Sequence, residues 1–213
     1  MSIEKQLNSL LGGVPDGVSE GVALGTGLAD GYDYYPSAIG QVVVAFNTEG
    51  VSSLGLEEDD FFARFEHYTG RRLIRAEAPT AWGRHIAAAI EAGTPGRVPV
   101  DFRSLTPFQA DVLHQTARIP KGEVRAYGWV AREIGKPGAV RAVGSALARN
   151  PIPLMIPCHR VVRSDGHLGN YSLIGPHIKV QLLEHEGAVV PRSEARGKVG
   201  PPERSEGGRD PLA

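Results

Sequence analysis

The single cysteine of this 213-residue chain lies in Ile156-Pro157-Cys158-His159-Arg160-Val161-Val162. A lone cysteine most often packs as a small hydrophobe. This one ends a segment carrying Pro151, Pro153 and Pro157, and proline fixes φ and limits chain freedom. A thiol held stiffly beside a titratable imidazole reads as a nucleophile, because the thiolate is the reactive form and its neighbours decide how much of it is present. Adjacent side chains of an extended segment point apart, so the expected link between Cys158 and His159 is a water that relays the proton. A carboxylate on the far imidazole nitrogen would raise its basicity, and Glu184 and Glu186 are the downstream candidates. Asn150, just ahead of the prolines, is placed to bond nearby backbone and hold the turn. Seven histidines and one cysteine without CxxC or HxxxH spacing predict neither a metal site nor a cofactor. A cysteine hydrolase would need a base aimed at a carbonyl and an oxyanion hole, and the proline-cysteine-histidine order signals neither.

The elements that must hold this segment are legible around it. Thr106-Pro107-Phe108-Gln109 is a helix start, with threonine as N-cap, proline at N1 and glutamine at N3; that helix is expected to run to about Arg118. Tyr127 to Ile134 reads as a short helix, Gly135-Lys136-Pro137-Gly138 as a turn, and Ala139 to Arg149 as a third helix, the helix-turn-helix pattern. Leu154 to Ile156 should be buried, Val161 to Arg163 should be a strand with a turn at Ser164-Asp165-Gly166, and His177 to Glu186 a last helix with Ile178, Leu182 and Leu183 inward.

Toward the N-terminus, Ile3 to Leu11 has helical spacing, and the glycine-rich stretch to Gly40 reads as loop. Gln41–Phe46 and Val51–Leu56 form a hairpin about Asn47-Thr48-Glu49-Gly50. Four acids, Glu57 to Asp60, open a helix whose apolar face is Phe61, Phe62, Phe65 and Tyr68. Arg72 to Ala76 is a third strand, Trp82 to Ile90 a helix ended by Gly93, and Thr94 to Val98 a linker. The expected class is α+β. It comprises a small N-terminal α/β domain with an antiparallel sheet (1–100), a mostly helical C-terminal domain with a winged-helix-like helix-turn-helix (101–190), and a disordered tail (191–213).

Hydrophobic content of 41% and charge of 22% are those of a globular protein, with no apolar run of spanning length and no secretory signal at the start. One cysteine fits a reducing compartment. The net charge of −1 hides an asymmetry: residues 1–100 carry 7 basic and 13 acidic side chains, residues 101–190 carry 11 and 7. A basic second half suits a polyanion. In the third helix Val140, Val143 and Leu147 make a core face, Arg141, Ser145 and Arg149 share another, and the rest is small. Close approach with one long cation suits a narrow groove. Small residues equally allow tight helix packing, and helix-turn-helix patterns recur in folds without DNA.

Residues from about Thr106 to Gly187 resemble the C-terminal domain of the O6-alkylguanine-DNA alkyltransferases. The resemblance is carried by Thr106-Pro107-Phe108-Gln109, Ile119-Pro120-Lys121-Gly122-Glu123-Val124, Tyr127-Gly128, Arg141-Ala142-Val143-Gly144, Asn150-Pro151, Pro157-Cys158-His159-Arg160-Val161, Gly169-Asn170-Tyr171-Ser172, Lys179 and Glu186-Gly187. Residues 41–93 resemble the family's smaller N-terminal domain. The resemblance implies a suicide repair protein that moves an alkyl group from guanine O6, with O4 of thymine as a further substrate, onto Cys158. It implies activation through water by His159, support of His159 by Glu186, and a brace at Asn150. Tyr127 and Ser172, with the carbonyls of Cys158 and Val161, would bind the flipped guanine beside Tyr171 and Lys179. Arg141 would fill the place of the extruded base, on a helix whose Ala139, Ser145 and Arg149 also face DNA.

The implied partner is double-stranded DNA, bound through the minor groove by a monomer with little sequence specificity, in the cytoplasm or, in a eukaryote, the nucleus. The competing reading, a damage-sensing module without transfer, replaces the cysteine in such relatives, and Cys158 argues against it. The sequence departs from the family at Leu173-Ile174-Gly175-Pro176, where glycines are usual, and at Ala126, where Ser or Thr usually caps the helix; the loss of that cap weakens the helix start by roughly 1 kcal/mol.

Overall fold

The computed structural model describes residues 19–56, 61–165, 167–168 and 176–188. Helix α1 (Glu20–Thr26) leads into three strands, β1 (Ala29–Ser37), β2 (Gly40–Asn47) and β3 (Gly50–Leu56). Helix α2 (Phe61–Thr69) then carries the chain to β4 (Arg72–Arg75), and a 3-10 turn at Gly83–His85 runs into α3 (Ile86–Ala92). The strands lie in the order β3-β2-β1-β4. Neighbours are antiparallel except β4, which runs parallel to β1. The sheet is therefore mixed rather than antiparallel as expected: α2 crosses over before β4 is laid down, and a crossover of that kind gives parallel neighbours.

Strand β2 is central because its residues suit burial on both sides. Val42, Val44 and Phe46 point into the main core, while Val43 and Ala45 point to the other face, against Phe61 and Phe65 of α2. That is the period-two alternation of a strand, and each fully buried valine contributes about 1.5–3 kcal/mol. The expected face of α2 needs one correction. Tyr68 is 78% exposed and meets the ring of His67 edge-on.

The stretch expected to be loop holds α1 and β1. Strand β1 reads Ala-Asp-Gly-Tyr-Asp-Tyr-Tyr-Pro-Ser, poor in β-branched residues. Strand β4 covers it only from Ala29 to Tyr32, so Pro36 lies where one side of the strand is an edge, the place a sheet tolerates proline. At the β2–β3 turn, Gly50 has φ +146°, and a Cβ there would lie 2.4 Å from the Pro99 carbonyl oxygen. Only glycine permits that approach. It lets the Val51 amide donate to Pro99 (2.9 Å) and the Asp101 amide to Val51 (2.8 Å). The expected linker thus docks along β3, with Val98 buried.

The second half contains α4 (Pro107–Thr116), β5 (Arg125–Ala126), α5 (Tyr127–Glu133), α6 (Val140–Ala148), a 3-10 turn at Cys158–Arg160, β6 (Val161–Val162) and α7 (Pro176–His185). Thr106 caps α4 with the reciprocal Gln109 contacts of a capping box. Strands β5 and β6 pair in parallel, and the Arg163 amide donates to the His167 carbonyl, closing the turn expected after β6. One apolar cluster spans both halves: Val42, Val44 and Leu54 of the sheet, Ile86 and Ile90 of α3, and Leu113, Val130, Val143, Leu147 and Met155 of the helical region. The helix expected over Ile3–Leu11, the acids Glu57–Asp60, the loop residues Leu173 to Gly175 and the tail lie outside the described residues. Among the described residues no helix is long and apolar enough to cross a membrane.

Candidate active site and nucleic-acid interface

The segment between α6 and Cys158 is fixed from both ends. The Asn150 side chain is buried; its Oδ1 accepts from the Ile152 amide (3.1 Å) and its Nδ2 donates to the Ile156 carbonyl (2.9 Å). One asparagine thereby closes the loop that holds Pro151 and Pro153. The edge of the sheet grips the same loop, because the Leu54 amide and the Ser53 hydroxyl donate to the Pro151 carbonyl at 2.8 and 3.2 Å. Leu154, Met155 and Ile156 are buried as expected. Leu154 holds φ +71°, a left-handed backbone uncommon for a branched side chain and kept only where its surroundings over-determine it.

Cys158 is only 8% exposed, and the Asn150 Nδ2 also lies 3.2 Å from its Sγ. The chain at this point is a 3-10 turn, Cys158–Arg160, where an extended segment was expected. Prolines stiffen the approach, and His159 and Arg160 are both buried within the tighter turn.

His159 Nε2 sits 2.9 Å from Glu186 Oε1, just past the end of α7. Of the two downstream acids, Glu184 is exposed and Glu186 makes the contact. Burial works against the Glu186 charge, but hydrogen bonds from His159 and Arg160 outweigh it and hold its pKa at about 2. Burial pushes His159 below its ordinary value, opposed by Glu186 and reinforced by the charges of Arg160 and Lys179. The pair is therefore a neutral imidazole and an ionised carboxylate at neutral pH. An ionised carboxylate only accepts, so Nε2 carries the proton. Nδ1 is then the basic nitrogen, and it is buried without a protein partner.

Tyr127, at the first position of α5, is half-buried. Its phenol pKa is raised, first by burial and then by the charge of Cys158, so it remains a proton donor at neutral pH. Its ring packs over Gly144 of α6, where an added Cβ would lie 3.8 Å away, an ordinary contact distance. Ala126 holds the N-cap of α5 and gives no side-chain cap. Lys179 is buried, and its Nζ donates to the carbonyls of Val161 (2.6 Å) and Leu168, so one of the carbonyls expected to meet a base already receives the lysine. Tyr171 and Ser172 lie outside the described residues.

On α6, Arg141, Ser145 and Arg149 are exposed as expected from their spacing, and Ala139 is half-buried at the N-cap. They form a face separate from the Asn150–Cys158–His159–Glu186 constellation. Arg160 went unremarked in the sequence, yet it is the largest fully buried side chain among the described residues. The signal that could have found it is a cation in a run that is apolar apart from His159, Ile156 to Val162, which must bring its own partners. Among the described residues no group of three or more His, Cys, Asp or Glu side chains is placed to hold a metal ion.

The fold is thus α+β, with a helix-turn-helix whose second helix exposes Arg141 and Arg149, and with a buried thiol followed in the chain by a histidine–carboxylate pair. Comparison with known proteins gives this arrangement its family. The family described as "6-O-methylguanine DNA methyltransferase, DNA binding domain" matches residues 107–188. A methylated-DNA–protein-cysteine methyltransferase of Methanosarcina barkeri is 39% identical over 165 residues, covering 73% of this chain and 96% of that protein. The rat protein of the same name is 46% identical over 96 residues, 44% of this chain. The crystal structure of a Mycobacterium tuberculosis OGT in complex with DNA superposes with a TM-score of 0.59 at 34% identity, covering 74% of this chain and 92% of that one. The chain belongs to the O6-methylguanine-DNA methyltransferase family. It spans about half the length of the rat and Escherichia coli relatives it matches, 46% of each.

Proposed function

We propose that this protein repairs alkylated DNA by a single irreversible transfer of an alkyl group, methyl foremost, from O6 of guanine to Cys158. The observation that carries the reading is the buried His159–Glu186 pair, which begins at the residue after Cys158, together with the Asn150 amide on the Cys158 sulfur. A donor on sulfur favours its anionic form. The thiol proton passes through a water to His159 Nδ1. The sulfur then forms a bond to the alkyl carbon as the carbon–O6 bond breaks, and the electron pair goes to the guanine ring. The Tyr127 phenol passes its proton to the ring as charge grows there, with Ser172 and Tyr171 bordering the base, so the guanine leaves neutral, and the proton held by His159 returns through water to the phenolate. The product is a thioether with no acidic leaving group, so the thiol is not regenerated and one chain serves one lesion.

The alkyl carbon lies inside a stacked duplex, so the base must come out at a cost of a few kcal/mol. Arg141 fills its place in the minor groove, while Ala139, Ser145 and Arg149 lie along the backbone. Contacts to backbone make binding salt-sensitive and nearly indifferent to sequence. Residues 1–100 and 101–190 act as two domains of a monomer that works in the compartment holding the DNA, the cytoplasm or the nucleus. The test is stoichiometric: duplex containing O6-methylguanine is titrated with protein, and lesion loss is expected to stop at one per chain. Lesions that persist under excess protein refute the reading and favour damage sensing without transfer. A parallel O4-methylthymine duplex tests the wider substrate range.

A further inference from the structure

Arg160 is 1% exposed, and all five of its N–H donors are engaged. Nε donates to Glu186 Oε2 (2.9 Å) and Nη2 to Glu186 Oε1 (2.7 Å). The second Nη2 hydrogen goes to the Ala92 carbonyl (3.1 Å), and Nη1 serves the carbonyls of Gly93 (3.1 Å) and Ile119 (2.6 Å). A guanidinium has five such donors in a rigid fork. Ala92 and Gly93 are the C-terminal end of α3, where the helix favours a cation. The fit there is close: Gly93 has φ +63°, and a Cβ on it would stand 2.1 Å from Nη2. Oε1 of Glu186, which takes one arm of the fork, is the same oxygen that faces His159 Nε2.

We propose that Arg160 is a positioning residue for the Cys158 reaction: anchored on the end of α3, it aims the Glu186 carboxylate so that His159 keeps its proton on Nε2 and offers Nδ1 as the base. The N-terminal half thereby acts on the chemistry without touching the substrate. The inference rests on the reading of Cys158 as the acceptor. Its physical core is the tautomer. With the guanidinium in place the carboxylate is ionised and can only accept. Without it, a buried carboxyl retains its proton more readily and can donate to Nε2, which moves the imidazole proton to Nδ1 and turns the relay away from the sulfur. Among the described residues, the other charged or titratable groups around His159 include Lys179 from α7, together with Glu91 of α3 and His185 of α7, which line a small cavity with His159 and Glu186.

Arg160→Gln and Arg160→Lys are compared with the wild type by 15N NMR of the His159 ring and by iodoacetamide alkylation of Cys158 across pH. The wild type is expected to show the Nε2–H tautomer. In Arg160→Gln the Nδ1–H form is expected to grow, alkylation at neutral pH to slow at least tenfold, and its rise to move to higher pH. Arg160→Lys, which keeps the charge and loses the fork, is expected to recover part of that loss. Gly93→Ala, which pushes the guanidinium off α3 and leaves Glu186, His159 and Cys158 intact, should act in the same direction. A folded Arg160→Gln or Gly93→Ala variant with an unchanged tautomer and an unchanged alkylation profile overturns the proposal. If neither variant folds, the wild type decides: an Nδ1–H tautomer, or an Arg160 Nε–H that exchanges as fast as an exposed arginine's, overturns it, and a protected Nε–H with the Nε2–H tautomer supports it. A wild type that takes no methyl from DNA refutes the proposed function and leaves the tautomer and alkylation results to judge Arg160.

Discussion

Two buried ionic networks, one in the sheet and one at the thiol, use the same carboxylate–guanidinium pairing to different ends. In the sheet, Asp30 is fully buried and receives Ser52, Asn47 (3.1 Å) and Arg71. The Asn47 amide reaches on to Asp101 (2.8 Å), which Arg103 clasps through Nε and Nη2. There the acids lie inside and the cations toward solvent: the Arg103 side chain is 60% exposed. At the thiol the cation itself is inside, its carboxylate is shared with a histidine, and that histidine ends in a nitrogen with no protein partner. The sheet network closes on itself and ties β1, β2, β3 and the 94–101 segment together. The site network is left open at one basic atom. A buried charge network therefore identifies nothing functional until one asks whether it ends.

The largest expected effect that would break this contrast is at the sulfur. Cys158→Ala should abolish transfer from duplex DNA while keeping DNA affinity, measured by lesion loss and by gel shift; persistent transfer would place the acceptor elsewhere. Next, Glu186→Gln should slow transfer on the order of 10²-fold, as loss of a positioned proton-transfer group does. Asp30→Ala should cost about 3–5 kcal/mol of stability, the usual penalty for breaking a buried pair, and leave the rate per folded chain unchanged. Denaturant melts and single-turnover rates on the two variants separate these outcomes, and the reverse pattern would invert the comparison. Arg141→Ala should slow transfer in a duplex by about 10–100-fold, the equivalent of a few kcal/mol of flipping, and leave the reaction with free O6-methylguanine base nearly untouched. Equal slowing on both would count against flipping.

Acid should sharpen the same contrast. The His159 pKa is depressed in the folded chain, so its contribution is whole above the ordinary value of about 6.5 and declines as pH falls below it. Glu186, held at about 2 against an ordinary 4.5, contributes fully above 4.5 and loses its contribution as pH falls toward 2. In the sheet, Asp101 is depressed from 3.8 and begins to lose its contribution only below that value. Denaturant midpoints should therefore begin to fall as pH drops below about 6.5 through His159, and His159→Gln should flatten that first decline. The smallest expected effect is at α5: Ala126→Thr should add about 1 kcal/mol by supplying the missing N-cap.

Much of the frame was legible because the residues that make it are extreme. Val42 to Phe46 can only be a buried strand, and the Thr106–Gln109 box can only start a helix. Strand β1 was not, because its burial rests on Asp30 and on tyrosines whose partners, Asn47, Arg71 and Phe62, come from other elements. Cys158, His159 and Asn150 drew notice through residue type and adjacency, while residue type alone left Glu184 and Glu186 both open and only the family resemblance pointed to Glu186. That choice depends on where α7 ends. Arg160 escaped because a lone arginine ordinarily means a solvated surface, and its five acceptors are contributed by α3, the segment after α4 and the end of α7.

The most direct test is to map the alkyl group after a single turnover. Wild-type protein is incubated with duplex carrying isotopically labelled O6-methylguanine, digested, and its peptides sequenced by mass spectrometry. The expected result is one labelled methyl per chain, on Cys158, with unmodified guanine restored in the DNA. Label on another residue, or label wholly retained by the DNA, would contradict the account.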